Sequence, residues 1–204
     1  MFRLACFVVA AVVAILTCAL CFLEVDRPVA QYISRYGNPE WALAAQMLAG
    51  LSACGLFVLA VSLVHRHLLS GEQKRSRDQL IVAFVSAVLA IVCVELLKFV
   101  FGRIGPDEYL TTGAYGFRYL SAQPGHSFPS EYGALAGLAA ALLWTNTSIY
   151  RPTICLLALL LPASQLLMGT HFVSDIVAGL VIGALAFICV REVFSGSLPG
   201  PTNR

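Results

Sequence analysis

The chain has 204 residues, 59% of them hydrophobic, and its 13 basic and 11 acidic side chains give a formal net charge of +2. Charged residues make up only 12% of the chain, about half the share in a soluble domain. The mean hydropathy of +0.82 is typical of a bundle of membrane-spanning helices. This composition excludes a disordered or collagen-like chain. Because the basic residues are dispersed, it also excludes a nucleic-acid partner.

Six apolar segments follow one another along the chain, and a spanning helix needs about 20 such residues. The fourth and fifth segments are shorter, and Pro162 predicts a kink in the fifth. The sequence therefore predicts an all-α membrane protein with a six-transmembrane-helix bundle as its one domain, residues 1–194. The tail 195–204 is expected to be disordered. The six predicted spans are 4–23, 41–64, 80–101, 132–149, 154–168 and 172–190.

The connecting segments differ in length and character. Residues 24–40 include an amphipathic stretch that suits a short helix at the membrane interface. Residues 102–130 form the longest polar connection, and long structured loops often carry function. Glycine pairs at 133/137 and 179/183 predict that the fourth and sixth spans pack closely against neighbours. The seven cysteines lie in apolar segments without metal-ligand spacing, so neither a disulfide nor a metal site is expected.

Basic residues near the span ends predict the orientation. With the N-terminus inside, eight of the 13 lie in the cytoplasm and five on the opposite side. The sequence thus predicts an integral membrane protein, in a bacterial inner membrane, with both termini cytoplasmic. The eight inner residues are Arg3, Arg66, Lys74, Arg75, Arg77, Arg151, Arg191 and Arg204, and the five outer ones are Arg27, Arg35, Lys98, Arg103 and Arg118.

Polar side chains gather at the predicted outer face, where ionisable groups are costly and therefore indicate function. Each has an ordinary structural explanation by itself. Lys98 and Arg103 can be interfacial charges, and His171 an interfacial histidine. Ser130 and Asp175 can cap the helices that follow them. Their joint occurrence on one face favours a shared site.

Phosphoryl transfer is the chemistry that fits this set. A neutral imidazole is a good nucleophile toward phosphorus, and a carboxylate hydrogen-bonded to its far nitrogen would fix the tautomer. His171 and Asp175 have the i,i+4 spacing that puts both on one helix face. Lys98 and Arg103 would hold the phosphate oxygens, with further donors near Ser130. The acidic residues lack a metal-ligand pattern, so no cofactor is expected.

Three ordered blocks carry a resemblance to a known family. They are KFVFGRIGP (98–106), SFPS (127–130) and SQLLMGTHFVSD (164–175). Over residues 80–190 the chain resembles the type-2 phosphatidic acid phosphatase superfamily. The resemblance implies a six-helix membrane enzyme that dephosphorylates lipid phosphates through a phosphohistidine at the outer face. It further implies His171 as nucleophile and Asp175 as the residue that orients it, with 102–130 as the active-site loop.

Several positions depart from the family pattern. Gly105 stands where the first block usually has arginine, so Arg103 is expected to substitute. Glu131 and Tyr132 replace the Gly-His of the second block, which removes the histidine that protonates the leaving group. Gln165 takes the place of a phosphate-binding arginine in the third block.

The missing acid has three possible replacements. Tyr132 fits by position, His126 by residue type, and Glu131 is the third possibility. A carboxylate at 131 beside a phosphate would be unfavourable unless it is protonated or paired with a cation. A general acid contributes about 10²- to 10⁴-fold, so its loss favours a substrate with a better leaving group, such as a polyprenyl diphosphate.

Three functional hypotheses follow. The first is a metal-independent lipid-phosphate phosphatase or phosphotransferase, acting on a phospholipid, lipid A or polyprenyl (di)phosphate at the periplasmic or extracellular face of the bilayer. The alternative is a non-catalytic relative that binds lipid phosphates or partner proteins. A transporter or channel would carry ionisable residues near the bilayer midplane, whereas here they lie at one edge.

Overall fold

A computed structural model describes residues 2–69, 73–121, 126–146 and 150–196, and the all-α fold class is confirmed within these ranges. A π-helical turn, Cys21–Val25, joins the first two helices. No strand occurs in the described residues, where an isolated antiparallel bridge pairs Arg103 with Phe117. The helices are α1 (Phe2–Leu20), α2 (Asp26–Tyr36), α3 (Pro39–Leu69), α4 (Gln73–Phe101), α5 (Pro106–Thr112), α6 (Glu131–Asn146), α7 (Arg151–Leu167) and α8 (Val173–Gly196).

Four stretches of the described residues are long and apolar enough to cross a membrane: Val9–Tyr36, Glu40–Ser62, Arg77–Phe101 and Val173–Phe194. The other two predicted spans correspond to α6 and α7, with 16 and 17 residues. At a rise of 1.5 Å per residue they cover about 25 Å, against about 30 Å of hydrocarbon. The helical membrane architecture therefore holds, while the six-span count stays a prediction.

The boundaries at both ends differ from those expected. The interfacial helix predicted within 24–40 exists as α2, but α1 continues into it through the π-helical turn, so the two form one long helical run. Gly37 ends α2, and its N–H donates to the Ile33 carbonyl at 2.7 Å. At the other end, α8 extends to Gly196, two residues into the predicted tail. Residues 197–204 lie outside the described residues, as do 147–149 at the end of the fourth predicted span.

The closest helix contact is the crossing of α6 with α8. The prediction that each glycine-bearing span packs closely against a neighbour is confirmed, and the structure shows that these two helices are each other's neighbour. A methyl group built on Gly137 or Gly183 would overlap the backbone of the facing helix. One built on Gly133 would lie 2.8 Å from the Ile176 carbonyl oxygen. Only glycine allows this approach, because any Cβ would need the space that the other backbone occupies.

This crossing brings the first turns of α6 and α8 to the same end of the bundle. The Ser130 N–H, just before α6, donates to the Asp175 carbonyl in the first turn of α8 at 3.0 Å. The connection that carries α5 and the segment before α6 lies at this end too, since the Ser127 N–H donates to the Arg103 carbonyl at 3.2 Å. The three sequence blocks therefore meet at one end of the bundle.

Substitution of Gly183 tests the crossing. We expect Gly183→Ala to lower the thermal unfolding midpoint of the detergent-purified protein, because overpacking a close contact costs about 1–3 kcal/mol. Gly50→Ala, in the middle of α3, is the matched control, since a methyl group there meets nothing within 4 Å. It should leave the midpoint unchanged or raise it slightly. Equal midpoints for the two variants, measured by tryptophan fluorescence, would contradict the close contact.

Candidate active site

A fully buried arginine lies at the centre of this end of the bundle. Arg103, two residues beyond α4, has an exposed fraction of 0%. One terminal nitrogen donates to the Asp175 carboxylate and to the Ser174 hydroxyl, and the other donates to Asp26 at 2.6 Å. Asp26 and Asp175 are equally buried. One guanidinium thus pairs with two buried carboxylates, each of which would be very costly if left unpaired.

Aromatic rings enclose the same guanidinium. The Phe172 ring centroid lies 4.5 Å from Cζ of Arg103 and the Phe22 centroid 5.0 Å away. Tyr115 adds a hydroxyl that accepts from the guanidinium at 3.3 Å, while it donates to the Phe22 carbonyl at 2.6 Å. Burial raises the pKa of Tyr115 to about 12, so its hydroxyl stays protonated and able to donate. The rings exclude water and hold the guanidinium plane through cation–π contacts.

Asp26 ties the N-terminal helices to the first turn of α8. One carboxylate oxygen accepts the Ser174 backbone N–H at 3.0 Å, and the other accepts the Ser174 hydroxyl. Both interactions satisfy donors at the N-terminus of a helix, where an anion is favourable. We call Asp26, Arg103, Ser174 and Asp175 the buried ion cluster.

The location of Arg103 leaves its expected phosphate-binding role a prediction. Its two terminal nitrogens are occupied by the buried ion cluster, and no part of the side chain reaches the surface. The bridge to Phe117 turns the residue inward after α4 ends. In this structure Arg103 supports the segment that carries His171, through Asp175 and Phe172.

His171 lies between α7 and α8 with 13% of its side chain exposed. Its Nδ1 is 2.8 Å from the Ser127 carbonyl oxygen. Because a carbonyl can only accept, Nδ1 must carry the proton, and Nε2 keeps its lone pair. Burial lowers the pKa of His171 below 6.5, and the Lys98 and Arg103 charges act in the same direction. The histidine is therefore a neutral imidazole at pH 7.

The hydrogen bond expected between His171 and Asp175 is absent. Nδ1 of His171 lies 3.9 Å from the nearer Asp175 oxygen, beyond hydrogen-bonding distance. That oxygen accepts the Phe172 N–H at 2.8 Å, and the other one pairs with Arg103. The Ser127 carbonyl takes the orienting position instead. A role for Asp175 in the reaction remains a prediction, with its charge close enough to stabilise a cationic imidazole.

Lys98 forms ion pairs near His171. Its ammonium contacts Glu131 directly and Glu95 at 3.2 Å, and 17% of its side chain is exposed. The sequence predicts that a carboxylate at 131 is favourable beside a phosphate only if it is protonated or paired with a cation, and Lys98 is such a cation. Both charges act on His171, since Lys98 lowers its pKa and Glu131 raises it. Lys98 and Arg103 both act on the charge of His171, and of these two Lys98 is the one with an exposed part.

Ser130 and Gln165 make local contacts. The Ser130 hydroxyl, fully buried, accepts the Gly133 N–H at 3.2 Å and so caps α6. Gln165 is buried, and its side chain contacts the hydroxyls of Ser164 and Thr170. These contacts account for both side chains structurally, and a phosphate-binding role for either stays a prediction.

The other candidate acids lie apart from these contacts. Nε2 of His126 is 3.0 Å from the Ser121 carbonyl oxygen. Tyr132 is in the first turn of α6 with 44% of the residue exposed. Of the three candidates, Glu131 is the one whose side chain contacts Lys98.

A cavity of about 320 Å³ lies beside His171, between α2, α5 and the end of α7. It is large enough for a small ligand fragment. His171 and Phe172 both line it. A substrate in this cavity would reach the histidine from the side of the N-terminal helices.

Residues 79–197 match the family described as the PAP2 superfamily, which is more than half of the chain. The chain belongs to the PAP2 superfamily. Its match begins within α4 and ends one residue after α8, so it contains Arg103, His171 and Asp175 and leaves out Asp26.

Individual relatives are consistent with the family. The chain is 31% identical over 116 residues to a lipid A 1-phosphatase of Rhizobium johnstonii, covering 55% of this chain and 46% of that protein. A lipid A 1-phosphatase of Rhizobium etli is 32% identical, with 55% and 49% covered. The chain spans about half the length of these curated relatives.

A solved structure supports the fold. The crystal structure of a transmembrane PAP2-type phosphatidylglycerolphosphate phosphatase from Bacillus subtilis superposes with a TM-score of 0.63 at 18% identity. The alignment covers 95% of this chain and 98% of the other. The helices outside the family match therefore belong to the same architecture.

Sequence reasoning missed two functional contributors. Asp26 lies within a long apolar helical run, and an ionisable residue in such a place could have been singled out on that ground. The Ser127 carbonyl is a backbone group, so no residue type could have indicated it.

Loss of Asp26 should destabilise the protein. In Asp26→Ala, Arg103 keeps a single carboxylate partner and Ser174 loses its acceptor, and breaking a buried ion pair costs about 3–5 kcal/mol. We expect a clear fall in the thermal unfolding midpoint in detergent. Glu24→Ala, two residues earlier and exposed, is the matched control and should change little. A midpoint for Asp26→Ala equal to that of the control would show that the cluster does not stabilise the fold.

The lowered pKa of His171 predicts its reactivity at mildly acidic pH. A depressed pKa keeps the imidazole neutral as pH falls, so Nε2 remains nucleophilic below about 6.5, where a free histidine is half protonated. We expect diethyl pyrocarbonate to carbethoxylate His171 with a rate that is half-maximal at a lower pH than for a histidine-containing reference peptide. Peptide mass spectrometry at a series of pH values measures this midpoint. A midpoint at or above the reference would contradict a neutral, desolvated imidazole.

Proposed function

We propose that the protein is a membrane lipid phosphatase or phosphotransferase that forms a phosphohistidine on His171. The observation that carries the proposal is the hydrogen bond from Nδ1 to the Ser127 carbonyl, because it leaves Nε2 unprotonated on a nearly buried ring beside a cavity. Such an imidazole is prepared for attack without first losing a proton. Membership of the PAP2 superfamily supports the same reaction class.

The reaction has two steps in this proposal. Nε2 of His171 attacks phosphorus, the bond from phosphorus to the lipid oxygen breaks, and that oxygen takes a proton from water, or leaves as a phosphate anion when the substrate is a diphosphate. Water then attacks the phosphorus, the P–N bond breaks, and inorganic phosphate is released as the water proton passes to a base. An acceptor hydroxyl in place of water would make the second step a phosphotransfer. The nearby Asp175 carboxylate would stabilise the cationic ring between the steps.

Lys98 and Glu131 have paired roles in this scheme. A phosphate at His171 would compete with Glu131 for the Lys98 ammonium, so binding would open the ion pair. The released carboxylate would then be available to accept a proton from the attacking water. The Lys98 contact favours the ionised form of Glu131, which makes Glu131 a better base for the second step than an acid for the first. A substrate with a good leaving group would depend least on the missing acid.

The relatives support a lipid-linked phosphate as substrate, since two are lipid A 1-phosphatases and the superposed structure is a phosphatidylglycerolphosphate phosphatase. The proposed site lies at one end of the bundle, where a lipid headgroup at the membrane surface would reach it. We assign that end to the periplasmic or extracellular face, on the basic-residue asymmetry of the loops, and retain six spans.

Phosphate release by the detergent-purified protein tests the proposal. We expect metal-independent release from at least one of phosphatidate, phosphatidylglycerol phosphate, lipid A and a polyprenyl diphosphate. His171→Ala should reduce the rate at least about 10³-fold, because it removes the covalent step. Acid-labile ³²P should accumulate on the wild-type protein from a labelled substrate and be absent from the variant.

His65→Ala is the matched histidine control, because His65 is exposed near the end of α3. It should retain the wild-type rate. Equal activity of His171→Ala and His65→Ala would exclude the phosphohistidine. Release from none of the four lipids would favour the non-catalytic relative.

A further inference from the structure

The cavity beside His171 has an uneven chemical lining. Apolar side chains such as Leu110 and Met168 form much of its wall, while the polar lining includes Ser34, Asn38 and Asp107. No lysine or arginine is found among the described residues that line it. A cavity whose lining has no lysine or arginine and includes two carboxylates, Asp26 and Asp107, is unfavourable for a phosphate group.

The phosphate and the rest of the headgroup must therefore occupy different parts of the site. Lys98 is the cation near His171, and it does not line the cavity. A phosphate at Nε2 would be held toward Lys98, and the atoms that link it to the lipid would extend into the cavity. Asp107 lies close to the segment that carries His171. Its Oδ1 is 3.8 Å from the position that a Cβ on Gly169 would take, and Gly169 is two residues before His171.

The lining polar groups select for hydrogen-bond donors. An ionised carboxylate can only accept, so Asp107 requires a hydroxyl, an amide N–H or an ammonium from the ligand. The side-chain oxygen of Asn38 already accepts the Trp41 N–H at 3.0 Å. Ser34 can donate or accept. A hydrocarbon headgroup would leave the Asp107 carboxylate without a partner when the ligand displaces water, which is costly.

We propose that this cavity binds the phosphate-bearing headgroup of the substrate through hydroxyl or amide donors to Asp107, and so selects lipids whose phosphate is carried by a sugar or by a glycerol with a free hydroxyl. The inference rests on the proposed function. This selection would discriminate between lipid phosphates that undergo the same reaction at His171. Phosphatidate has both remaining glycerol hydroxyls esterified, and a polyprenyl phosphate carries its phosphate on hydrocarbon.

The test is a comparison of kcat/KM for the full-length protein in mixed micelles. Lipid A and phosphatidylglycerol phosphate are the donor-bearing substrates, one for each source of the hydroxyl, and phosphatidate is the donor-free one. We expect Asp107→Ala to lower the ratio of donor-bearing to donor-free kcat/KM about 10- to 100-fold, through KM more than kcat. The substrate whose ratio falls further identifies the headgroup.

Two further variants separate the hydrogen bond from charge and from local structure. Asp107→Asn removes the charge and keeps an acceptor oxygen, so it should retain most of the ratio. Glu108→Ala changes the next residue of α5, which pairs with Arg118 and does not line the cavity, and it should leave the ratio within about twofold of wild type.

The outcomes distinguish this inference from the proposed function. Release that is lost in His171→Ala, with a ratio that Asp107→Ala leaves unchanged, would overturn the donor selection and keep the phosphohistidine. A wild-type preference for phosphatidate would do the same. Release from no lipid, or release that persists in His171→Ala, would overturn the proposed function and the inference with it.

Discussion

One buried guanidinium determines the geometry of this end of the molecule. Arg103 faces two carboxylates that come from the start of α2 and the first turn of α8, and all three groups are inaccessible to solvent. Since each charge would be strongly unfavourable without the others, the three elements that carry them must assemble together. Phe172 both packs over the guanidinium and donates its N–H to Asp175, which places the preceding residue, His171. The position of His171 is thus a consequence of the buried ion cluster.

The glycine crossing of α6 and α8 supplies the complementary constraint. It fixes the distance between the first turns of the two helices, and the hydrogen bond from the Ser130 N–H to the Asp175 carbonyl joins these turns. The segment just before α6 then presents the Ser127 carbonyl to Nδ1 of His171. A backbone carbonyl has a fixed direction and no rotamer freedom, so it orients an imidazole as firmly as a carboxylate would. Electrostatics positions one side of the histidine and close backbone packing the other.

Much of this arrangement could be predicted from the sequence, and the limits have physical reasons. Apolar runs identified the helices, and spacing identified the two glycine-bearing spans that pack closely and the set of residues that meet at one end. The sequence could not show the partner of Arg103, because an arginine near a membrane surface looks the same whether it binds a ligand or a distant carboxylate. Residue type likewise could not show that Asp175 would turn toward Arg103 and Phe172, which leaves His171 to a backbone acceptor. The residue types therefore predicted which side chains meet at this end of the bundle. Which of them pair with one another depended on tertiary packing and could not be predicted.

The family match begins at residue 79, and the counter-ion Asp26 precedes it by more than two helices. The segment that matches the family is therefore smaller than the part of the chain that the buried ion cluster joins. An exchange of the first helices for those of another membrane protein would leave the signature blocks intact. It would remove Asp26, one of the two carboxylates that pair with Arg103. The N-terminal helices are thus tied by electrostatics to the segment that carries His171, although the three sequence blocks lie outside them.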